Sequence, residues 1–123
     1  MKIIVVDDEP IIVDTLVNIL TGEGHDALGL SDGKSATKWA EMMRPDAIVT
    51  DVLMPGMNGI ETAKAIMQLL PKCRIILFSG QAASTDLLAK ARAEGYSFEV
   101  LAKPINPDVL LEKLNTPENS SGS

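Results

Sequence analysis

The 123 residues suit a single domain with one core, and because 46% are hydrophobic but only 3% aromatic, that core must be aliphatic. The formal net charge of −6, without a cluster of Lys and Arg, argues against a nucleic-acid-binding surface in this chain. No apolar stretch approaches the roughly 18 residues needed to span a bilayer, so we expect a cytoplasmic protein without membrane contact.

Short β-branched runs alternate with longer segments of helical period, a pattern that predicts βαβ units and a parallel sheet. Strand one covers about Lys2 to Val6, and Pro10 opens a helix that ends at Gly22. Strand two, Asp26 to Leu30, is short and broken by Gly29, which favours an edge position. The predicted buried stripe of the first helix consists of Ile12, Leu16, Ile19 and Leu20.

The second helix is predicted from its apolar spacing, and the third from a residue that can cap it. Asp32 precedes the second helix, whose spacing predicts that Trp39 faces the sheet rather than a ligand. Strand three ends at Asp51, and after a loop Asn58 can cap a helix that reaches Leu70. The apolar stripe of the second helix consists of Ala36, Trp39, Ala40 and Met43.

The last two βα units are shorter. Strand four covers Arg74 to Phe78, and its helix runs from Ser84 to about Glu94. Strand five covers Phe98 to Ala102, and the final helix runs from Asn106 to Leu114. The polar stretch from Asn115 to Ser123 has no period, so we interpret it as a linker or expression remnant outside a domain of residues 1–114.

Charged and polar residues stand where the predicted strands end. Asp7 and Asp8 follow strand one, Asp51 closes strand three, Ser79 follows strand four and Lys103 follows strand five. Because parallel strands end at one edge of a sheet, these side chains are expected to converge in a crevice. Such a crevice would hold a metal ion and a phosphoryl group.

Each of these residues also has an ordinary structural interpretation. Asp7, Asp8 and Glu9 could stabilise the positive end of the first helix. Asp51 could cap a turn, a strand-end serine often bonds its own backbone, and a single lysine is usually a solvated surface charge. The functional interpretation is favoured because all of them occur together, in order, at successive strand ends.

At these positions the chain resembles the receiver domains of bacterial two-component response regulators, of the chemotaxis-regulator type. The matching motifs are Asp7-Asp8, the segment 51–59 (DVLMPGMNG), Ser79-Gly80 and Lys103-Pro104, and the resemblance spans about Lys2 to Leu114. It implies a flavodoxin-like, doubly wound α/β fold: a five-stranded parallel sheet in the order 2-1-3-4-5 with helices on both faces.

The predicted chemistry needs a divalent cation, because a carboxylate that attacks a phosphoryl group meets charge repulsion. We predict that Asp8 and Asp51 bind Mg²⁺ directly. The resemblance adds the backbone carbonyl of Leu53 as a ligand and assigns Asp7 to the hydration shell of the metal. Without the cation the clustered carboxylates repel and one tends to hold a proton, so metal binding should depend on pH.

Asp51 is the predicted nucleophile, which accepts a phosphoryl group from a sensor histidine kinase or a phosphotransfer protein. Lys103 and the Ser79 hydroxyl are each expected to bind one phosphoryl oxygen. The Lys103-Pro104 bond is expected to be cis, as the family uses it. The resemblance implies a switch that controls a downstream output domain or protein and assists its own phosphorylation and dephosphorylation, rather than an enzyme.

One position departs from the family pattern. Family members usually carry Tyr or Phe three residues before the lysine, and that aromatic ring rotates inward in the phosphorylated state; here the position is Val100. Phe98 lies two residues earlier on the same strand face and is the candidate replacement.

Three other protein classes compete with this interpretation. A haloacid-dehalogenase-like phosphatase needs a second Asp two residues after the nucleophile, where this chain has Leu53. A flavodoxin offers hydroxyls and glycines to a phosphate, which Asp7, Asp8 and Glu9 would repel. A degenerate receiver that acts as a phosphorylation-independent interaction module is the serious alternative, although it would be expected to lose the acidic pocket.

Overall fold

A computed structural model describes residues 1–80 and 84–116. Over these residues, five strands alternate with five helices, and the strands form one parallel sheet in the order β2-β1-β3-β4-β5. The predicted α/β fold and strand order are therefore confirmed. The elements are β1 (Lys2–Val6), α1 (Pro10–Gly22), β2 (Asp26–Leu30), α2 (Gly33–Met43), β3 (Ala47–Asp51), α3 (Gly59–Leu69), β4 (Arg74–Ser79), α4 (Ser84–Ala93), β5 (Glu99–Ala102) and α5 (Pro107–Asn115).

The strand register aligns the carboxyl ends of the central strands. Val6 at the end of β1 lies opposite Thr50 of β3, and Ser79 at the end of β4 lies opposite Ala102 of β5. The residues that follow these positions therefore emerge together at one edge of the sheet.

The core consists of two aliphatic layers, one on each face of the sheet. Alternate residues of β1 point to opposite faces, so Ile4 and Val6 belong to one layer and Ile3 and Val5 to the other. All four are fully buried, and each such side chain contributes roughly 1.5–3 kcal/mol of hydrophobic stabilisation. This burial holds β1, and the acidic residues that follow it, in a rigid position.

Helix α2 does not direct Trp39 toward the sheet, so that prediction is wrong. The buried residues of α2 are Gly33, Ala36 and Ala40, whereas Trp39 is 43% exposed. Small residues on the buried face let α2 approach the sheet closely. The indole, about 100° around the helix from Ala40, lies on the flank instead.

The buried stripe of α1 also differs from the predicted one. Leu16 and Leu20 are buried as expected, but Val13 is buried in place of Ile12 and Ile19, which are half-buried. Val13 packs over Gly29 of β2, where an added Cβ would lie 2.3 Å from the Val13 Cγ1 atom. The glycine that breaks β2 in sequence therefore lets the helix pack against it.

Side-chain caps are present at the starts of α2 and α3, and the one at Asn58 is the cap that the sequence predicts. Asp32 accepts a hydrogen bond from the Ser35 backbone N–H at 2.7 Å. Asn58 and Glu61 form a reciprocal capping box, in which each side chain accepts from the backbone N–H of the other. This box fixes the loop between β3 and α3, which follows Asp51.

The boundaries of β1, α1 and β2 match the prediction, whereas several later ones differ by about one residue. β5 begins at Glu99, so Phe98 lies outside it, and α5 continues through Asn115, which the sequence placed in the tail. Residues 117–123 of the predicted tail lie outside the described residues. Among the described helices, none combines the length and the apolar composition that crossing a bilayer requires.

Candidate functional site

Three carboxylates meet at the carboxyl edge of the sheet. Asp7, Asp8 and Asp51 each offer an oxygen, and these oxygens all lie within 4.8 Å of one another. Asp7 and Asp51 are buried, whereas Asp8 is exposed. The structure thus brings together acids that are more than 40 positions apart in the chain, in the way that the strand-end pattern predicts.

Lys103 provides the positive charge next to these acids. Its Nζ donates a hydrogen bond to Asp51 Oδ2 at 2.9 Å and lies 3.6 Å from Asp7 Oδ2. Burial alone would lower the pKa of Lys103, but the hydrogen bond and the charge of Asp51 outweigh it and raise that pKa. The side chain therefore remains a cation, and the peptide bond that follows it, Lys103-Pro104, is cis as expected.

The pKa of Asp7 is raised by the burial of its carboxylate. Burial raises the pKa of Asp7 to about 6, although the Glu9 backbone N–H, which donates to Asp7 Oδ1 at 2.9 Å, and the charge of Lys103 both oppose the rise. The negative charge of Asp51 adds to it. Asp7 Oδ2 is buried and accepts no hydrogen bond from any described residue.

This arrangement fits a divalent cation. A buried carboxylate oxygen without a hydrogen-bond donor is costly, and a hard cation or its bound water can satisfy it. The ligand atoms available are all oxygens, which suits Mg²⁺ better than a transition metal. The acidic cluster of Asp7, Asp8 and Asp51 can therefore hold a metal ion, with Lys103 beside it.

Asp51 lines a small cavity of about 210 Å³. Its Oδ1 accepts from the Leu53 backbone N–H at 3.4 Å, so the chain turns tightly after β3. Ser79, at the end of β4, lines the same cavity, and its carbonyl accepts from the Lys103 backbone N–H at 3.1 Å. The hydroxyl of Ser79 as a phosphoryl ligand, and the carbonyl of Leu53 as a metal ligand, stay predictions.

The backbone after Asp51 is packed against the start of α3. The Gly59 N–H donates to the Val52 carbonyl at 2.8 Å, and a Cβ at Gly59 would lie 1.9 Å from the Asp51 carbonyl oxygen. No side chain fits there. The glycine of the Asn58-Gly59 pair is thus required by close contact with the backbone of Asp51 itself.

Glu9 belongs to the site, which the sequence did not indicate. Its Oε1 lies 3.8 Å from Lys103 Nζ, and the residue lines the cavity that contains Asp51. The sequence suggests for Glu9 a role at the start of a helix and, together with Asp7 and Asp8, repulsion of a phosphate, but no contact with Lys103. The available signal was its position directly after the acidic pair, where the chain leaves the sheet edge.

Phe98 is not placed next to Ser79. Ser79 lies opposite Ala102, and Phe98 is four positions before Ala102. At about 3.3 Å per residue, Phe98 is therefore about 13 Å from Ala102 along the chain. The Phe98 ring instead stacks on Tyr96, with ring centroids 5.7 Å apart. Val100 is 40% exposed at the position where the family usually has an aromatic residue.

Comparison with known proteins identifies relatives over almost the whole chain. A family model described as the response regulator receiver domain matches residues 3–115. The chemotaxis protein CheY of Thermotoga maritima is 30% identical over 115 residues, which cover 93% of this chain and 94% of CheY. The alkaline phosphatase synthesis transcriptional regulatory protein PhoP of Bacillus subtilis is 37% identical over 108 residues, or 86% of this chain.

The chain spans less than half of several of these relatives. It covers 43% of PhoP and 48% of the DNA-binding response regulator MtrA of Mycolicibacterium smegmatis. By contrast, it covers nearly all of CheY.

Solved structures agree with this assignment. A response regulator receiver domain protein of Clostridium thermocellum has a TM-score of 0.83 at 28% identity, over 93% of this chain and 90% of its own. The chemotaxis protein CheY4 of Vibrio cholerae has a TM-score of 0.81 at 30% identity, over 92% and 94%. The sheet order, the acidic cluster and these matches lead to one conclusion: the chain belongs to the response regulator receiver domains of two-component systems, a family of phosphorylation-dependent signalling domains.

Proposed function

We propose that this domain is a signalling switch in which Asp51 accepts a phosphoryl group with the help of Mg²⁺. The observation that supports this most is the position of Asp51. Its Oδ2 accepts a hydrogen bond from Lys103 at 2.9 Å, and it shares the acidic cluster with Asp7 and Asp8. A carboxylate that has both a cation and a cluster of metal-binding oxygens at its side is suited to phosphoryl transfer.

The donor would be a phosphohistidine of a sensor histidine kinase or a phosphotransfer protein. An oxygen of the Asp51 carboxylate attacks the phosphorus in line, and the bond between phosphorus and the imidazole nitrogen breaks. That nitrogen leaves with the electron pair and takes up a proton, so the donor returns to histidine. The product on this chain is an acyl phosphate at Asp51.

The cation would be bound by Asp8 and Asp51, with the Leu53 carbonyl as a third ligand and Asp7 acting through a bound water. When present, Mg²⁺ neutralises negative charge on the phosphoryl oxygens and aligns them for the displacement. The buried Oδ2 of Asp7, which accepts no hydrogen bond from any described residue, supports a cation at this position.

Lys103 and Ser79 would bind the phosphoryl group after its transfer to Asp51. Lys103 exchanges its hydrogen bond to Asp51 for one to a phosphoryl oxygen, and the Ser79 hydroxyl binds another. Each charge-assisted bond contributes roughly 1.5–3 kcal/mol. A difference of that size shifts a two-state equilibrium about tenfold to more than a hundredfold, which is enough to move the chain after Ser79.

The output would be a downstream domain or partner protein. The net charge of −6 disfavours direct contact of this chain with nucleic acid, so any such activity is assigned to the partner. The absence of an aromatic residue at Val100 implies that the output does not depend on rotation of a ring at that position. The domain is proposed to act as a switch, not as an enzyme with a separate substrate.

Intact-mass measurement after incubation with acetyl phosphate and Mg²⁺ tests the proposal. The wild-type chain should gain one phosphoryl group and Asp51→Asn should gain none. Asp14→Asn, the same change at an exposed position of α1, should behave like the wild type. If the wild type gains no phosphoryl group and binds no beryllofluoride with Mg²⁺, the phosphorylation-independent interaction module is the better explanation.

A further inference from the structure

We propose that Glu9 determines which phosphodonors this domain accepts, because its carboxylate opposes small, highly charged donors at the entrance of the site. This inference rests on the proposed phosphorylation of Asp51. Glu9 lies at the mouth of the cavity rather than in the acidic cluster: its side chain is 63% exposed, and it lines the Asp51 cavity. It also lines a neighbouring, more apolar cavity of about 520 Å³ together with Ile11 and Pro104.

The carboxylate of Glu9 does not cap the helix that follows through a hydrogen bond. Glu9 is the N-cap residue of α1, yet its side chain makes no capping hydrogen bond to the described backbone. Its backbone N–H donates to Asp7 Oδ1, a contact that any residue other than proline can make. What the side chain contacts instead is Lys103, at 3.8 Å.

The carboxylate of Glu9 adds a negative charge that no cation of the site balances. With Mg²⁺ bound, the two charges of the metal and the one of Lys103 balance the carboxylates of Asp7, Asp8 and Asp51. Glu9 then leaves the entrance with one net negative charge. It also competes with an incoming phosphoryl group for the ammonium of Lys103, which is the cation that has to bind that group.

This charge should affect free and protein-bound donors differently. A small donor such as acetyl phosphate meets the carboxylate directly and carries no group that can neutralise it. A protein donor can place a basic or hydrogen-bonding side chain against Glu9 while its phosphoryl group reaches Asp51. Glu9 therefore disfavours phosphorylation by free metabolites of the acyl phosphate class.

The test is to compare Glu9→Gln with the wild type, using phosphoryl incorporation measured by intact mass at pH 8 with saturating Mg²⁺. At low ionic strength the initial rate with acetyl phosphate, which is doubly charged, should rise roughly three- to tenfold in the variant. The gain should be smaller with phosphoramidate, which carries a single net negative charge. In about 0.5 M NaCl the difference from the wild type should largely disappear because the charge is screened.

A second measurement does not depend on turnover. Calorimetry should show that Glu9→Gln binds the beryllofluoride anion with Mg²⁺ at least twofold more tightly than the wild type at low ionic strength. Glu23→Gln, the same change at an exposed position after α1, controls for the altered net charge and should match the wild type in both assays.

The possible outcomes separate the two proposals. If Asp51 is labelled in all three proteins at equal rates, or if Glu9→Gln is slower at low ionic strength, the role assigned to Glu9 is wrong while the proposed function stands. The same holds if the gain persists unchanged in high salt, because the effect is then not electrostatic. If no protein is labelled or binds beryllofluoride, the proposed function fails and this inference with it.

Discussion

The ammonium of Lys103 donates to Oδ2 of Asp51 at 2.9 Å, although β5 and β3 are separated in the sheet by β4. The long lysine side chain reaches across the end of the intervening strand. It therefore connects the end of β5 to the acidic cluster at the ends of β1 and β3.

Removing this cation should destabilise the metal-free protein. We expect Lys103→Met to lower the free energy of unfolding by about 1–3 kcal/mol, because Asp51 and Asp7 are then left without a partner of opposite charge. Urea denaturation in EDTA measures this change. Lys38→Met, at an exposed position of α2, should alter stability by less than about 0.5 kcal/mol. Equal effects of both substitutions would contradict the proposed role.

The buried charge of Asp7 should make stability depend on pH. The folded-state pKa of about 6 lies above the ordinary value of 3.8, so the folded protein binds the proton more tightly than the unfolded chain. In the absence of metal, stability should therefore fall as the pH rises from about 4 to 6, by about 2–3 kcal/mol in total. Asp7→Asn should be more stable than the wild type above pH 6, and the two should converge toward pH 4. A gap that does not change with pH would rule out this explanation.

Magnesium affinity should follow the same titration in the opposite sense. Below pH 6 Asp7 is mostly protonated and loses the charge that favours the cation, so Mg²⁺ should bind about tenfold more weakly at pH 5 than at pH 8. Calorimetric titration at both pH values measures this ratio. Asp7→Asn should bind weakly at both, with most of the pH dependence removed. Persistence of the full pH dependence in the variant would rule out Asp7 as its source.

Gly59, which packs against the backbone of Asp51, should not tolerate a side chain. Gly59→Ala places a Cβ 1.9 Å from the Asp51 carbonyl oxygen, which is backbone and cannot move aside without displacing the start of α3. We expect a loss of about 3 kcal/mol or more. Gly22→Ala is the matched control: at the end of α1 nothing lies within 4 Å of the added atom, and the change should stabilise by about 0.5–1 kcal/mol. Thermal or urea unfolding of both variants compares them directly.

Arg74, the first residue of β4, should not be replaceable by lysine without a loss of stability. Its guanidinium donates two parallel hydrogen bonds to the Glu99 carboxylate, at 2.8 and 2.9 Å, and a third to the Thr116 carbonyl. A lysine cannot reproduce this planar fork, so Arg74→Lys should lower stability by about 1–2 kcal/mol. Arg92→Lys on the exposed face of α4 should have no measurable effect. If the two variants unfold at the same urea concentration, the fork is not a stabilising contact.

Much of the fold could be predicted from local patterns. The strands and helices are separated by residues with clear local preferences, such as Pro10 at the start of α1 and the Asn58 cap of α3, and their order implied a parallel sheet. The site residues Asp7, Asp51 and Lys103 could be named because each directly follows or closes a strand. A single topological rule then places them at one edge.

The incorrect predictions concern the packing of helices on the sheet. Helical period alone cannot distinguish a large apolar residue that faces the sheet from one on the flank of the helix. Trp39 and Ile19 were therefore predicted to face the sheet, although Trp39 is exposed and Ile19 is only half-buried. The small residues Ala36 and Ala40 determine how closely α2 approaches, and the contact of Val13 with Gly29 determines the rotation of α1. Glu9 was overlooked because its partner, Lys103, is 94 positions away.

The order of the elements and the parallel sheet follow from local sequence patterns, as does the set of acids and lysine at the carboxyl edge. These features depend on short-range periodicity and on the position of residues relative to strand ends. Which of those groups are buried, and which are in contact, depends on the folded chain. The raised pKa of Asp7, the reach of Lys103 across β4 and the place of Glu9 at the entrance all depend on distances between segments far apart in the chain. Such distances are set by how the helices pack on the sheet, and no local pattern encodes them.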